Sequence, residues 1–261
     1  MKRNMIRHVF YSFIFTMSLI VFSKVKIHII FGTHMNFSFV AMLGPIIASF
    51  VGTSISFFVL FSARFIQIVL GISKSRSIAS YIAYLPAFVA GHYFSRLVRR
   101  LEKNNAELNK HIIFIPILAI IVFVLHPLGR KVWFYSLFWL IPISIYLLAP
   151  RLEDRLEKRP YLIVYLYALA ATYIDHAVGA VIYGLFIFEV PVEAWIQSIP
   201  WVPIERAIFA LGIALLYLFF RAIEKAFTTY VIVGTVNVEV VYDRDEYKGR
   251  EDAGLVARKA L

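Results

Sequence analysis

The 261-residue chain is 61% apolar and only 16% charged, and its mean hydropathy is +0.76. Soluble domains are about half apolar and about one quarter charged, so this composition excludes an ordinary soluble domain and predicts a polytopic membrane protein. The lack of cysteine excludes disulfides and cysteine-based sites, and the net charge of +11 indicates basic cytoplasmic loops rather than a surface for nucleic acid.

The first predicted span begins directly after a basic N-terminus. The stretch MKRNMIRHVFYSFIFTMSLIVFS has the basic start and apolar run of a signal peptide. No small-residue cleavage site follows it, and Lys24 and Lys26 come next. We therefore predict that the stretch is retained as an uncleaved first helix.

Apolar runs of roughly spanning length continue along the chain. They lie at about 9–23, 36–50, 54–71, 78–95, 112–127, 132–150, 160–188 and 204–228. The segment 35–71 is too long for one span, and Gly44-Pro45 is a natural break. This segment is either two short spans or a re-entrant piece followed by a helix. The sequence thus predicts an all-α transmembrane helix bundle of seven or eight spans over residues 1–228.

The distribution of basic residues predicts the orientation of the bundle. With eight crossings and a cytoplasmic N-terminus, 19 of the 27 Lys and Arg residues fall on cytoplasmic segments and six on exterior segments. Positive residues are retained on the cytoplasmic side, so we expect a multi-pass protein of the cell membrane with both termini in the cytoplasm. Residues 229–261 form the predicted cytoplasmic tail, in which a period-two stretch from Val231 to Val241 is compatible with one strand.

The linker at 189–203, EVPVEAWIQSIPWVP, contains no lysine or arginine. Trp195 and Trp201 within it are the amphipathic aromatic residues typical of a membrane interface. We predict an exterior loop here.

Motifs of the common enzyme classes are absent from the sequence. It contains no HExxH, GxSxG or GxxxxGK[ST] motif, and its seven histidines are scattered without a close pair at helical ligand spacing. The sequence therefore predicts no catalytic residue, metal site or cofactor, and we expect a protein that is not an enzyme.

Asp175 and His176 form a polar pair inside the apolar segment YLYALAATYIDHAVGAVIYG. A charge at mid-membrane costs on the order of 2.5–3.5 kcal/mol, so such groups face a bundle interior or a wet cavity and usually have a partner. Counted from Arg159, Asp175 lies about 24 Å along the helix, in the outer half of a ~30 Å hydrocarbon core. Arg64, in the middle of an earlier span, has a similar predicted depth.

Three interpretations of this pair fit the sequence. In the first, Asp175 pairs with Arg64 as a helix–helix clamp in a structural or assembly subunit. In the second, the pair belongs to a solute site open to the exterior, whose candidate residues are Asp175, His176, Arg64, Glu205, Arg206, His126 and Trp195. In the third, His176 is the base of a membrane-embedded enzyme and Asp175 orients it. Adjacent helix residues point about 100° apart, which disfavours the third.

A second feature is a run of small residues spaced four apart, Gly44, Ala48, Gly52 and Ser56. On one helix they would form a smooth face that another backbone can approach closely. That face either packs within this chain or docks against a partner membrane subunit.

Three stretches in chain order carry a family resemblance: GTHMNFSFVAMLGPIIASFVGTSISFF, SIASYIAYLPAFVAGHYFSRLVRR with its basic exit, and YLYALAATYIDHAVGAVIYG with its polar centre. Together they resemble the substrate-specificity (S) components of energy-coupling factor (ECF) transporters over most of the chain. The resemblance implies a bundle in the lipid bilayer that captures a small-molecule solute, a vitamin or a metal, from outside. It also implies a transmembrane coupling subunit and cytoplasmic ATPases as partners, with Gly44, Ala48 and Gly52 as the docking face and Asp175-His176 near the binding region.

Overall fold

A computed structural model describes residues 2–27, 37–73, 78–102 and 109–226 of the chain. Within those residues the fold is helical apart from two antiparallel two-residue strands, Lys26–Ile27 (β1) and Phe37–Ser38 (β2). The predicted all-α class is confirmed. The predicted tail at 229–261, with the stretch from Val231 to Val241, lies outside the described residues.

Every apolar run predicted from the sequence contains a helix. The α-helices are α1 (Lys2–Phe22), α2 (Val40–Val51), α3 (Thr53–Val69), α4 (Ile78–Tyr81), α5 (Leu85–Glu102), α6 (Phe114–Leu125), α7 (Pro127–Lys131), α8 (Leu140–Arg155), α9 (Pro160–Gly179), α10 (Val192–Ser198) and α11 (Val202–Ala226). Turns of 3₁₀-helix precede α6 and α8, at Lys110–Ile113 and Trp133–Trp139, and the π-helical segment Ala180–Ile187 continues α9.

Helices of membrane-spanning length are present in the second half of the described chain. Among the described residues, three continuous helices are long and apolar enough to cross a membrane: Trp133–Arg155, Pro160–Ile187 and Val202–Ala226. Shorter apolar helices are Arg7–Phe22, Val40–Val51, Thr53–Val69 and Lys110–Leu125. The structure therefore fits the predicted membrane protein.

The segment 35–71 breaks at Gly52, and the predicted break at Gly44-Pro45 is wrong. Pro45 lies inside α2, whereas Gly52 takes a φ of +84° between α2 and α3. Glycine has no Cβ and adopts positive φ without steric strain, so the chain ends α2 and begins α3 within one residue. A proline inside a helix removes one backbone hydrogen bond, because proline has no N–H. In membrane helices, neighbouring helices and side chains can satisfy the carbonyl group that loses its partner.

Small residues allow α2, α5 and α9 to pack closely, with α5 between the other two. A Cβ added to Gly44 of α2 would lie 2.8 Å from the Ala87 Cβ of α5. A Cβ added to Gly91 of α5 would lie 3.1 Å from the Pro45 carbonyl oxygen. The α2 and α5 backbones therefore approach as closely as small-residue contacts between membrane helices permit.

The four small residues at 44, 48, 52 and 56 do not form the single helical stripe that their spacing predicted. The helix ends at Gly52, so Ser56 belongs to a different helix. Gly44 and Ala48 are buried, and the buried Ser56 hydroxyl donates to the Thr53 carbonyl over 2.7 Å. Gly44 packs against α5 of the same chain, as the first interpretation of this face proposed.

Two ends of the bundle can be distinguished by their contacts. At the end we call the basic end, α1 and α2 meet through Arg7 and Phe50, and Arg100 of α5 lies 2.6 Å from the Glu153 carboxylate of α8. At the opposite end, which we call the α10 end, α10 packs on the π-helical segment. A Cβ added there to Gly184 would lie 2.5 Å from the Trp195 ring.

The bundle comprises one compact unit, Met1–Leu216, and the residues Tyr217–Leu261 form a second. In the described part of the second unit, Arg221 Nη1 lies 2.5 Å from Glu224 Oε2, one helical turn further along.

Candidate functional site

Asp175 lies in the last turns of α9 and forms an ion pair with Arg206 of α11. Arg206 Nη1 is 3.8 Å from Asp175 Oδ2, and Arg206 Nη2 is 2.7 Å from Glu205 Oε1. The structure thus brings together three of the predicted site residues, two carboxylates and one guanidinium. We call them the Arg206 cluster.

A hydrogen bond from Arg206 to the backbone of Thr172 holds the Arg206 cluster between α9 and α11. Arg206 Nη1 donates to the Thr172 carbonyl over 3.3 Å, and the Thr172 hydroxyl lies 3.4 Å from the Arg206 carbonyl. The guanidinium carbon also lies 5.0 Å from the centre of the Phe209 ring, a distance typical of a cation–π contact. The position of the Arg206 guanidinium is therefore fixed from several sides.

Asp175 is the most exposed member of the cluster, although most of its side chain is covered. Its side chain is 18% exposed, against 8% for Glu205 and 3% for Arg206. A separation of 3.8 Å is an ion pair but not a hydrogen bond. Among the described residues, the Asp175 carboxylate therefore accepts no hydrogen bond and keeps its acceptor capacity.

Arg64 has other partners, and the pairing with Asp175 is not formed. Its Nε donates to the Ser80 carbonyl over 2.6 Å, and its Nη1 donates to Gln67 Oε1 over 3.3 Å. The Tyr84 ring lies 5.7 Å from its guanidinium carbon. Arg64 thus fixes α3 against the α4 region, and α11 supplies the arginine for Asp175.

Tyr183 connects the surroundings of Arg64 and Asp175. Its hydroxyl donates to the Ala79 carbonyl over 3.3 Å, and it lies within electrostatic range of both charged side chains. Arg64 and Asp175 therefore both lie in the surroundings of Tyr183, although they do not pair with each other.

His176 forms hydrogen bonds with two aromatic residues that the sequence analysis did not select. Trp139 Nε1 donates to His176 Nδ1 over 3.3 Å, and His176 Nε2 lies 3.1 Å from the Tyr135 hydroxyl. An indole N–H can only donate, so Nδ1 is the acceptor and neutral His176 carries its proton on Nε2. The only sequence signal for these partners is the aromatic run WFYSLFW, which by itself is equally typical of a membrane interface.

The chain of hydrogen bonds continues from Tyr135 into α10. Ser198 Oγ donates to the Trp195 carbonyl over 2.8 Å and lies 3.3 Å from the Tyr135 hydroxyl. Since Ser198 has one hydroxyl hydrogen, Tyr135 is the donor in the second contact. Both His176 ring nitrogens are therefore engaged by described residues other than Asp175, so the geometry of a base oriented by Asp175 is not formed.

Trp195 lies inside the bundle, packed against other aromatic side chains. Its side chain is buried, its Nε1 donates to the Val190 carbonyl over 2.9 Å, and its ring centre is 4.7 Å from that of Tyr135. The small Gly184 beneath it provides the room. Trp195 therefore packs α10 against the residues that bind His176, whereas Trp201 is exposed.

His126 belongs to a separate place. Its Nδ1 accepts a hydrogen bond of 3.3 Å from the Leu128 amide at the start of α7. It lines an open cavity of about 540 Å³ together with Lys131, Glu189 and Glu193, and Asp175 is not among the lining residues. In the described part of the chain, no three His, Asp or Glu side chains are grouped to hold a metal ion.

Function resides in sites rather than in folds, so the arrangement around Asp175 is the main guide to what this protein does. Similarity gives no second guide, because the chain matches no family model, no curated protein and no solved structure.

Proposed function

We propose that this protein is a solute-binding membrane subunit of a transporter, working in the manner of the ECF S components that its sequence resembles. The observation that carries the proposal is the Asp175 carboxylate, which is partly exposed, has no hydrogen bond from the described residues and lies beside the buried Arg206 guanidinium. The solute would enter from the α10 end and bind at this carboxylate.

The geometry of the Arg206 cluster favours a binding role over a purely structural one. Ionisable groups within apolar helices are costly and are normally satisfied by close partners. Arg206 makes its short contact with Glu205, at 2.7 Å, and leaves Asp175 at 3.8 Å. Asp175 therefore retains the capacity to accept hydrogen bonds from a bound molecule.

The chemistry around Asp175 favours an organic solute with hydrogen-bond donors. A carboxylate accepts such bonds strongly, whereas the neighbouring Arg206 guanidinium repels a bare metal cation. Tyr183 lies within electrostatic range of both Asp175 and Arg64, so a solute that extends from Asp175 past Tyr183 would bring an acceptor group to Arg64. A nutrient with both amine or amide donors and carbonyl or carboxylate acceptors fits this arrangement best.

Orientation and partners complete the proposal. Eight crossings with both termini in the cytoplasm would place the basic end inside and α10 outside, in keeping with the retention of Arg7, Arg96, Arg99 and Arg100 on the cytoplasmic side. The energy for transport would come from a coupling subunit and ATPases, because this chain has no Walker motif.

The test is solute binding by full-length protein in lipid nanodiscs. Native mass spectrometry of gently extracted protein would detect a retained small molecule, and a vitamin panel would then be titrated by thermal stabilisation. Asp175→Asn should weaken binding by about tenfold or more, equivalent to about 1.4 kcal/mol for the lost charged acceptor. Asp154→Asn, at an exposed aspartate of α8, is the matched control and should leave binding unchanged.

Two results would count against transport. If Asp175→Asn binds the solute as tightly as the unaltered protein, the site has been placed wrongly. If gentle extraction recovers no small molecule, no coupling subunit and no ATPase, the transporter proposal fails as a whole.

A structural clamp is the second candidate, and one observation favours it. Arg206 and Thr172 exchange contacts across α9 and α11, which would stabilise the bundle without any ligand. In that case Arg206→Gln would lower the unfolding temperature, whereas Asp175→Asn, which removes no hydrogen bond between described residues, would change stability little and no solute would be found.

A further inference from the structure

At the basic end, far along the helices from Asp175, the α2–α3 junction is surrounded by cationic side chains. We infer that this junction, with Arg96 and Arg99 of α5 beside it, binds a phosphate-bearing anion. The anion is either an anionic lipid headgroup or a free phosphate. This site is independent of the proposed solute site.

The junction itself offers backbone donors. Gly52 occupies the position before α3 and, having no side chain, provides no side-chain cap. The first intrahelical bond at this end runs from the Ser56 amide to the Gly52 carbonyl over 3.0 Å. The amides of the preceding first-turn residues, Thr53, Ser54 and Ile55, therefore have no intrahelical partner, as at any helix start. All three residues are exposed or half-buried.

Cationic side chains from two helices approach this junction. Arg99 Nη2 lies 3.7 Å from where a Cβ of Gly52 would stand, and nothing else lies within 4 Å of that point. His92 Nδ1 is 3.0 Å from the Thr53 hydroxyl, and Arg96 and Arg99 both lie within electrostatic range of His92. Arg7 of α1 reaches the same place, with its Nη2 3.5 Å from the Phe50 carbonyl.

The observation that points to a ligand is an unsatisfied buried donor. Arg96 Nε is buried and makes no hydrogen bond within the described part of the chain. Neither Arg96 nor Arg99 forms an ion pair with a described carboxylate, whereas the next residue, Arg100, pairs with Glu153 at 2.6 Å. Arg96 and Arg99 are half-buried as whole residues. Buried donors are normally hydrogen-bonded, so the unpaired Nε and two guanidinium groups without a described carboxylate partner favour an anion at this place.

Phosphate is the anion that fits this set of donors. Guanidinium groups bind phosphate oxygens in a planar, bidentate fashion, and helix starts bind phosphate through backbone amides. The missing side chain at Gly52 leaves an opening next to Arg99. If the basic end faces the cytoplasm, the junction lies at the level of the anionic headgroups of the inner leaflet.

The experiment uses full-length protein in nanodiscs and measures bound lipid by native mass spectrometry and thermal stability by differential scanning fluorimetry. The probes are phosphatidylglycerol against phosphatidylcholine, and inorganic phosphate against chloride at matched ionic strength. The variant is Arg96→Gln with Arg99→Gln. The control is Arg151→Gln with Arg155→Gln, which removes the same charge from exposed arginines of α8 at the same end.

We expect Arg96→Gln with Arg99→Gln to weaken binding of the anion by about 30-fold, because two basic contacts to an anionic group are lost. The control pair should have little effect. Retention of phosphatidylglycerol without a response to phosphate identifies a lipid headgroup, whereas stabilisation by phosphate in phosphatidylcholine nanodiscs identifies a free phosphate. If the double Gln variant does not fold, Arg96→Lys with Arg99→Lys tests the same site, because it keeps the charge and removes the bidentate fork. This Lys variant should bind more weakly than the unaltered protein.

Three outcomes would overturn the inference. The first is equal weakening of binding by the control pair, because this would mean that the anion is attracted to any basic surface. The second is full binding of the anion by the Lys or the Gln variant. The third is that the unaltered protein responds neither to phosphatidylglycerol nor to phosphate. Asp175→Asn should leave this binding unchanged, so the two sites can fail separately.

Discussion

The contact between Gly44 and Ala87 makes a quantitative prediction about how the bundle holds together. A methyl group added at Gly44 would place its carbon 2.8 Å from the Ala87 Cβ. Two carbons in van der Waals contact lie ~3.5–4.0 Å apart, so Gly44→Ala forces α2 and α5 apart by about 1 Å. The crowded atoms are backbone-anchored Cβ atoms, so no side-chain rotation relieves the clash.

The cost of that separation can be worked out. A gap of about 1 Å forfeits up to about half of the dispersion energy of each contact, and each contact contributes ~0.1–0.2 kcal/mol. For a contact surface of leucine size, with about 40–60 atom pairs, the loss is about 2–6 kcal/mol. Overpacked cores typically lose about 1–3 kcal/mol, so we expect Gly44→Ala to lower the free energy of unfolding by about 2–3 kcal/mol.

The assay is equilibrium unfolding in mixed micelles by titration with a denaturing detergent, with a rescue variant and a control. Ala87→Gly in the Gly44→Ala background removes the clashing partner and should recover most of the loss, which a double-mutant cycle would detect as coupling. Gly179→Ala is the control, because a Cβ there would lie 3.9 Å from Pro86, an ordinary contact distance. It should be neutral or stabilising by about 0.5–1 kcal/mol. Unfolding of Gly44→Ala at the unaltered midpoint, or no rescue by Ala87→Gly, would refute the reasoning.

Two further substitutions test buried polar contacts by the same unfolding assay. Glu153→Gln weakens the contacts of this buried carboxylate with Arg100 and with the Tyr167 hydroxyl, so we expect the free energy of unfolding to fall by about 1.5–3 kcal/mol. Asp154→Asn, at the exposed neighbouring position, should have no measurable effect. Equal effects of the two substitutions would mean that the ion pair of Arg100 and Glu153 contributes little to stability. His176→Phe leaves the Trp139 indole N–H without its acceptor and the Tyr135 hydroxyl oxygen without the donor at His176 Nε2, and it should cost about 1–2 kcal/mol. His111→Phe, at an exposed position, serves as its control, and a stability of His176→Phe equal to that of the control would contradict the hydrogen-bond chain.

The sequence predicted the helices well because composition and periodicity act locally. Each apolar run requires its backbone polar groups to be satisfied within itself when water is absent, and a helix does this for any apolar sequence. Hydropathy therefore located eight apolar runs, each of which contains at least one of the helices α1 to α11. It could not determine where a run is interrupted, because Pro45 is tolerated in α2 when α5 packs against it, and the positive φ of Gly52 is not visible in the sequence.

The partners of the polar residues were harder to predict, because the depth of a residue along its helix does not say in which direction around the helix axis its side chain points. Arg64 and Asp175 have similar predicted depths, yet they lie on helices whose rotation about their own axes aims Arg64 at Ser80 and Asp175 at Arg206. Rotation is set by packing among several helices, which a single sequence does not reveal.

The connection between α9 and α11 gives information on whether Arg64 or Arg206 is the partner of Asp175. Helices joined by a short connection are usually antiparallel neighbours, so residues on either side of that connection are the natural partners. Glu205 and Arg206 follow the 189–203 linker, and Asp175 precedes it, whereas Arg64 is more than 100 residues away. The structure adds that α10 folds back, with Trp195 against Gly184 and Tyr135, so the linker itself contributes to the surroundings of His176. Proximity along the chain therefore favours Arg206 before any coordinates are known. The hydrogen-bond chain through α10, by contrast, depends on three separate segments and follows only from the fold.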